Sequence, residues 1–460
     1  MAVESVGMQA AAPATKSLGL WACVALVVGN MIGSGIFLLP ASLARIGPIS
    51  MWGWVLTSVG ALILAVIFGR LAQLVTKTGG PYAYCEVGYG EFAGFIIAWG
   101  YWIALWTGNA AVAVALVGYL GYLVPAIGDS TEMSLAAALI SIWTLTLINI
   151  RGVSEAGMVQ AITTIGKLVP LLLIGSLGLI WVDLENFSPA NLSGEGDLAA
   201  ISAAAALTLW AYLGLESATV PSGDVVEPEK TIPRATILGV LIAAVVYISV
   251  TFVAIGVVPS AQLSQSSAPL SDVATAMWGF AGGILIAIGA VISTFGTLNG
   301  FTLLSGQVPY GAALDCVFPS ALGKLSRYGT PANALILSNL LASILIVMNF
   351  YKGLVGAFEV IILLAVMSSL LPYALCALAE IMIRLKGHGT QLTTLGRAKV
   401  VILGTLGFVY ALWAIYGSGA ETVFLGFLLV LAGIPIHVWI KSRQPVGEAN
   451  APQSLKSEEV

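Results

Sequence analysis

Gly29-Asn30-Met31-Ile32-Gly33-Ser34-Gly35-Ile36-Phe37 lies in the middle of an uncharged stretch running from 17 to 44, with Pro40 just beyond it. Glycine and serine weaken a helix, and the run Gly33-Ser34-Gly35 predicts an interruption of the hydrogen-bond ladder. Backbone groups freed at membrane depth are tolerated only around a cavity or inside protein. The stretch therefore predicts a helix broken beside a cavity, with a close-packing or kink site as the simpler alternative.

The composition around it supports a membrane setting. Of 460 residues 9% are charged and 58% hydrophobic, where a soluble domain has about a quarter charged. A soluble enzyme, a nucleic-acid binder and a disordered scaffold are excluded together. Uncharged windows run 17–44, 46–69, 92–128, 133–150, 235–271, 273–314, 328–351, 360–379, 400–420 and 422–440. Two more, 156–182 and 198–223, hold one charge each, Lys167 and Glu216. A membrane helix needs about 20 residues, so twelve spans are expected and both termini share a side.

Placement of charge matters more here than the net value of −4. Fifteen of the 18 basic residues fall on the side of the N-terminus, while Arg45 and Lys352 fall opposite. The asymmetry places both termini in the cytoplasm of a cell (inner) membrane, with multiple passes. The alanine-rich residues 1–17 read as a tail rather than a cleaved signal, and 442–460, polar with Pro445 and Pro452, as a disordered one.

A second break is expected at Trp210-Ala211-Tyr212-Leu213-Gly214-Leu215-Glu216-Ser217, with Pro221 downstream. Interrupted helices at the first and sixth positions point to two five-helix halves around a mid-membrane site, although the halves share no residue-level similarity. Free N–H groups at Gly33, Ser34 and Gly35 suit a carboxylate, and carbonyls near Gly214 suit an α-ammonium. Trp210 would cover such a zwitterion, a cation–π contact being worth about 2 kcal/mol when desolvated. An interfacial anchor is the alternative for Trp210.

Lys167 and Glu216 are the charges held inside windows, where each costs about 2.5–3.5 kcal/mol on insertion scales. They form either a structural pair or functional groups. Protonating Glu216 would loosen a gate and make the protein acid-responsive. Cys23, Cys85, Cys316 and Cys376 lack paired spacing and read as small core residues. With His388 and His437 they assemble no metal site, no cofactor is implied, no catalytic cluster is present, and no phosphate-cradling loop argues for an ATP-driven pump. Glu227, Glu229, Lys230, Arg234, Lys324 and Arg327 read as solvated or inner-gate pairs in loops.

Several of these pieces together resemble the amino acid, polyamine and organocation transporter superfamily. The first and sixth motifs carry the resemblance, with Gly79-Gly80-Pro81-Tyr82-Ala83-Tyr84, Tyr101-Trp102, Trp106, Gly108-Asn109, Glu227-Pro228, Ile232-Pro233-Arg234, Leu303-Leu304-Ser305-Gly306-Gln307 and Gly329-Thr330-Pro331. The likeness covers about 18–440 and is greatest to basic amino-acid and polyamine antiporters of the arginine/agmatine type.

The resemblance implies an all-α, twelve-helix membrane protein with a five-plus-five inverted repeat (LeuT-like), broken helices 1 and 6, and two C-terminal helices. Repeat one would cover about 18–182, repeat two about 198–384 and helices 11 and 12 about 397–441, in a transporter domain of 18–441. It implies exchange of an amino acid for its amine product or another amino acid by alternating access; proton-coupled uptake is the alternative. A proton is the candidate coupling ion, a homodimer the candidate assembly, and the small molecule and the bilayer the partners.

By the same resemblance the substrate pocket falls on Met31, Ile32, Gly33, Ser34 and Gly35, on Ala104, Leu105, Asn109 and Val112, and on Trp210 and Leu213. Asn109 would hydrogen-bond a polar substrate end. An aromatic gate falls on Phe301 where the antiporter type has Trp, and a tenth-helix serine falls on Ala365; both changes remove polar partners. Tyr101 and Tyr373 would close the outer side with Glu216. Lys167 resembles the fifth-helix lysine of proton-coupled permeases, whose ammonium takes the place of a sodium ion near the first break.

Overall fold

A computed structural model describes residues 18–75, 80–152, 156–219, 225–387 and 392–443, with side chains of 156–165 excepted. The expected tail 1–17 and all of the expected tail 442–460 but Ser442 and Arg443, with Lys16, Lys77, Lys456, Gly79, Pro221 and His388, lie outside the described residues. Apart from one isolated bridge between Leu18 and Val225, everything regular among the described residues is helical.

The chain forms α1 (Leu20–Met31) and α2 (Ser34–Ile46), then α3 (Met51–Leu74), the short α4 (Pro81–Tyr89) and α5 (Glu91–Leu123). One-turn α6 (Pro125–Gly128) leads to α7 (Thr131–Arg151) and α8 (Ala156–Leu177), and α9 (Asp197–Leu209) runs into 3-10 turns at Trp210–Tyr212 and Ser217–Thr219. Next come α10 (Pro228–Val257), one-turn α11 (Ser260–Leu263) and α12 (Pro269–Leu314), kinked where Gly279 takes φ 73°. α13 (Ala332–Asn349), α14 (Gly353–Leu385), α15 (Thr394–Gly417), α16 (Ala420–Leu431) and α17 (Gly433–Ser442) complete the order.

Among the described residues ten stretches are long and apolar enough to cross a membrane. One of them, Ala332–Leu385, holds both α13 and α14, and α8 is a further apolar helix, which accounts for the count of twelve from charge spacing. This is a multi-pass membrane protein. α5 is its central post, buried along most of its length from Gly94 to Gly121. α7, α15 and α16 lie outside it and expose Ile140, Val401 and Phe424, as expected where hydrocarbon is the solvent.

Windows drawn from charge to charge end too early. α14 contains Glu359, Glu380 and Arg384, and α12 contains Asp272. Glu380 is 3% exposed, so Lys167 and Glu216 are not alone among buried charges. Charged side chains tolerate helix ends where a partner from a neighbouring helix neutralises them.

Contacts between helix ends define two faces. Leu18 bridges Val225, Gln73 donates to the Glu229 carbonyl at 2.7 Å, and Lys386 donates to the Val87 carbonyl at 3.1 Å. These belong to the N-terminal face, as does the Lys441–Glu91 ion pair. On the opposite, distal face the Leu192 N–H donates to the Ile46 carbonyl at 2.8 Å and Arg45 meets Glu359 at 3.1 Å.

Candidate functional site

The first break is short. α1 ends at Met31, Ile32 and Gly33 have non-helical backbone angles, and α2 restarts at Ser34. Lys167, reaching from α8, donates through Nζ to the carbonyls of Gly29 at 2.7 Å and Ile32 at 2.9 Å, and is 2% exposed. A cation there meets the negative end of a half-helix and satisfies carbonyls that lost their partners. α2 begins at Gly33 without any side-chain cap, so its first amides are donors without helical acceptors.

The second break is longer and is held by hydroxyls. After the 3-10 turn at Trp210–Tyr212, Gly214 takes φ +99°, a left-handed conformation suited to glycine. Tyr247 donates to the Ala211 carbonyl at 2.8 Å, and the Tyr212 hydroxyl lies 2.7 Å from Ser58 Oγ. The Gly214 carbonyl, expected to await an ammonium, already accepts from the N–H and the hydroxyl of Ser217. The local turn closes on itself and satisfies that carbonyl without a ligand.

The breaks meet closely. A Cβ on Gly35 would stand 3.0 Å from the Ala211 Cβ and 3.2 Å from Trp210 Cδ1, so a larger residue would push the two breaks apart by a few tenths of an ångström. Trp210 Nε1 donates to Ser34 Oγ at 3.2 Å, and its ring centroid lies 6.2 Å from that of Phe301. Around this contact are two narrow adjoining cavities whose walls share Asn30, Leu213 and Phe301.

Toward the N-terminal face, the larger cavity is walled by Tyr101, Ala104, Leu105, Gly214, Glu216, Ser217, Leu304 and Ser369. The Tyr373 hydroxyl donates to Glu216 Oε2 at 2.7 Å, and Tyr101 hydrogen-bonds to the same carboxylate. Glu216 is 1% exposed. Tyr101 lies in the first third of α5, counted from the N-terminal face, and Tyr373 in the half of α14 nearer that face. The trio lies on the N-terminal-face side of the break: α9 enters from the distal face, so Glu216 comes after the break.

The smaller cavity is walled by Met31, Gly33, Ser34, Gly35, Val112, Trp210 and Thr297 besides the shared residues. Expected pocket residues are thus largely brought together, with three exceptions. Ile32 turns its carbonyl to Lys167. Asn109 is fully buried and donates to Asn339 Oδ1 at 3.0 Å and Ser305 Oγ at 3.4 Å, away from the cavities. Ala365 is buried outside both walls, while Ser369, one turn later, supplies the polar group of α14. Asn30, Thr297 and Ser369 went unread; the last two stand one helical turn from Phe301 and Ala365, the spacing that could have found them.

Lys167 and Glu216 do not pair: carbonyls hold one and tyrosines the other. Near the N-terminal face Arg70 forks onto Glu380 with two 2.8 Å bonds, and Arg384 adds a third at 2.9 Å. Cys85 and Cys376 bring their sulfurs to 3.5 Å, a contact that sequence spacing did not suggest. Among the described residues no group of histidine, cysteine and carboxylate side chains could hold a metal. Of the charges expected in loops, Glu229, Lys230 and Arg234 lie in the first turns of α10, and the Lys230 ammonium 2.9 Å away holds the Glu227 carboxyl below its usual range.

Comparison with known proteins follows the same lines. The amino acid permease family model matches residues 18–439. The arginine/ornithine antiporter of Pseudomonas aeruginosa is 31% identical over 94% of this chain and 92% of its own length. The cadaverine/lysine antiporter of Escherichia coli is 34% identical over 78% of this chain and 82% of its own. The putrescine transporter PotE of Haemophilus influenzae is 30% identical over 93% and 97%. The chain therefore belongs to the amino acid permease family, whose members are transporters and not enzymes.

Proposed function

We propose that this protein exchanges an amino acid for its amine product, or for another amino acid, by alternating access across the cell (inner) membrane with both termini cytoplasmic. The observation that carries the reading is the paired cavity at the meeting of the two breaks, with uncapped amides of α2 at one end and Glu216 as the carboxylate in its wall. The amides suit a substrate carboxylate, while the faces of Trp210 and Phe301 and the anion of Glu216 suit a cationic end. Basic amino acids and diamines of the kind named for the relatives fit that pattern. Phe301 offers the cationic end an aromatic face, and Ser217 and Ser369 supply hydroxyls in the same wall. The breaks in the first and sixth spans are compatible with five-plus-five inverted repeats over about 18–182 and 198–384.

Acid response follows from Glu216. Ionised, it accepts from Tyr373 and Tyr101 and keeps the trio shut; protonated, it is a weaker acceptor and the gate loosens. Proton-coupled uptake is a second reading, favoured by the Lys167 ammonium at the carbonyls of the first break. Proteoliposomes separate the two. Exchange predicts that labelled lysine or ornithine accumulates only when unlabelled substrate is loaded inside. Accumulation in empty vesicles under an inward proton gradient would overturn exchange and favour uptake.

A further inference from the structure

α14 carries a carboxylate near each membrane face, and both are clamped to helices of the first two spans. Near the distal face Glu359 receives Arg45 Nη1 of α2 at 3.1 Å, and Arg45 Nε also donates to the Ser264 carbonyl at 3.4 Å. Near the N-terminal face Glu380 receives the Arg70 fork from α3 and Arg384 from its own helix. Positions 359, 373 and 380 are spaced by multiples of seven, which keeps them on one stripe of a helix. Tyr373, the gate hydroxyl on Glu216, therefore stands in line with both clamps, whose carboxylates are about 32 Å apart at 1.5 Å per residue.

The two clamps differ in strength for identifiable reasons. Side-chain exposures are 40% and 23% at Arg45 and Glu359, against 30% and 4% at Arg70 and Glu380. A single, water-exposed contact is screened and contributes little. A two-pronged guanidinium contact on a carboxylate withdrawn from water is stronger, and separating it strands an anion with no solvent to replace the partner.

We propose that Arg45–Glu359 and Arg70–Glu380–Arg384 are positioning residues for alternating access, and that their inequality sets the resting orientation. The distal clamp opens first, and the substrate-free protein rests with its N-terminal face shut. This rests on the alternating-access reading above. Both clamps are made in this structure, and α14 rocks on the stripe from that doubly clamped state by releasing one clamp at a time.

Hydrogen exchange on the full-length protein in lipid nanodiscs tests the idea, with counterflow of lysine measured on the same preparations. In the parent, residues 353–362 should exchange faster than 66–74 and 376–385. Glu380→Gln should raise exchange over 66–74 and 376–385 about tenfold and slow it over 353–362, because a shifted two-state equilibrium moves both faces in opposite senses. Glu359→Gln should speed 353–362 and leave the N-terminal face protected. Arg70→Lys, which keeps the charge but loses the fork, should reproduce the Glu380→Gln pattern weakly and serves if that variant does not fold. Faster exchange at both faces, or at neither, would overturn the proposal while counterflow by the parent keeps the transport reading intact. A parent without counterflow would sink that reading instead.

Discussion

The two breaks solve one physical problem with opposite chemistry. In the first, two residues leave the helix and a single ammonium, Lys167, satisfies the stranded carbonyls from below. In the second, the chain leaves regular helix near Trp210 and resumes a 3-10 turn at Ser217, and hydroxyls of Tyr247, Ser58 and Ser217 share the load with Glu216 and Tyr373. One break hangs on one buried cation, the other on a distributed net around one buried anion. A concentrated support fails all at once when its one member is removed, and a distributed one degrades by steps.

Removing Lys167 is therefore expected to have the largest effect. Lys167→Ala strands two carbonyls, each having received a charged hydrogen bond worth about 1.5–3 kcal/mol. Transport should be lost or uncoupled from protons, and the thermal midpoint in detergent should fall by several degrees or more. Full activity with intact pH coupling would reduce Lys167 to a structural cation.

Glu216→Ala comes next. The protein should fold, because tyrosine hydroxyls facing the cavity can find water, but the pH profile of exchange should flatten. On the proposed gating role, protonation of Glu216 in the parent loosens the trio, and transport should rise as pH falls. A profile identical to the parent's would sink the gating role.

Tyr247→Phe should matter least. It removes one hydrogen bond to the Ala211 carbonyl from a net with other members, a loss of about 1 kcal/mol in stability, with exchange largely retained. Loss of transport as complete as in Lys167→Ala would show that the second break is no more redundant than the first.

Much of this contrast was legible in the residues. Gly33-Ser34-Gly35 and the run from Trp210 to Ser217 mark where helices stop, because backbone weakness is local and needs no partner to be read. Lys167 and Glu216 were conspicuous because charge inside an apolar window is costly wherever it ends up. Their partners were not legible: the ammonium finds carbonyls 135 and 138 positions away, and Glu216 finds Tyr373, 157 away. Asn109 shows the same limit: its Nδ2 finds Asn339, 230 positions away, while its buried Oδ1 has no hydrogen-bond partner. Glu380 escaped because a window bounded by charges cannot contain one, although its two arginines bury it within α14. Which end of the helices Tyr373 and Glu216 share needed the direction of each helix, which α9 and α14 supply only once folded.

Cys376 stands one turn beyond Tyr373, and its sulfur lies 3.5 Å from that of Cys85 on α4. Both thiols are fully buried, so their contact packs the short helix after the second span against α14 beside the tyrosine that meets Glu216, and the two polarisable sulfurs fill a seam that any relative movement of these helices would have to open.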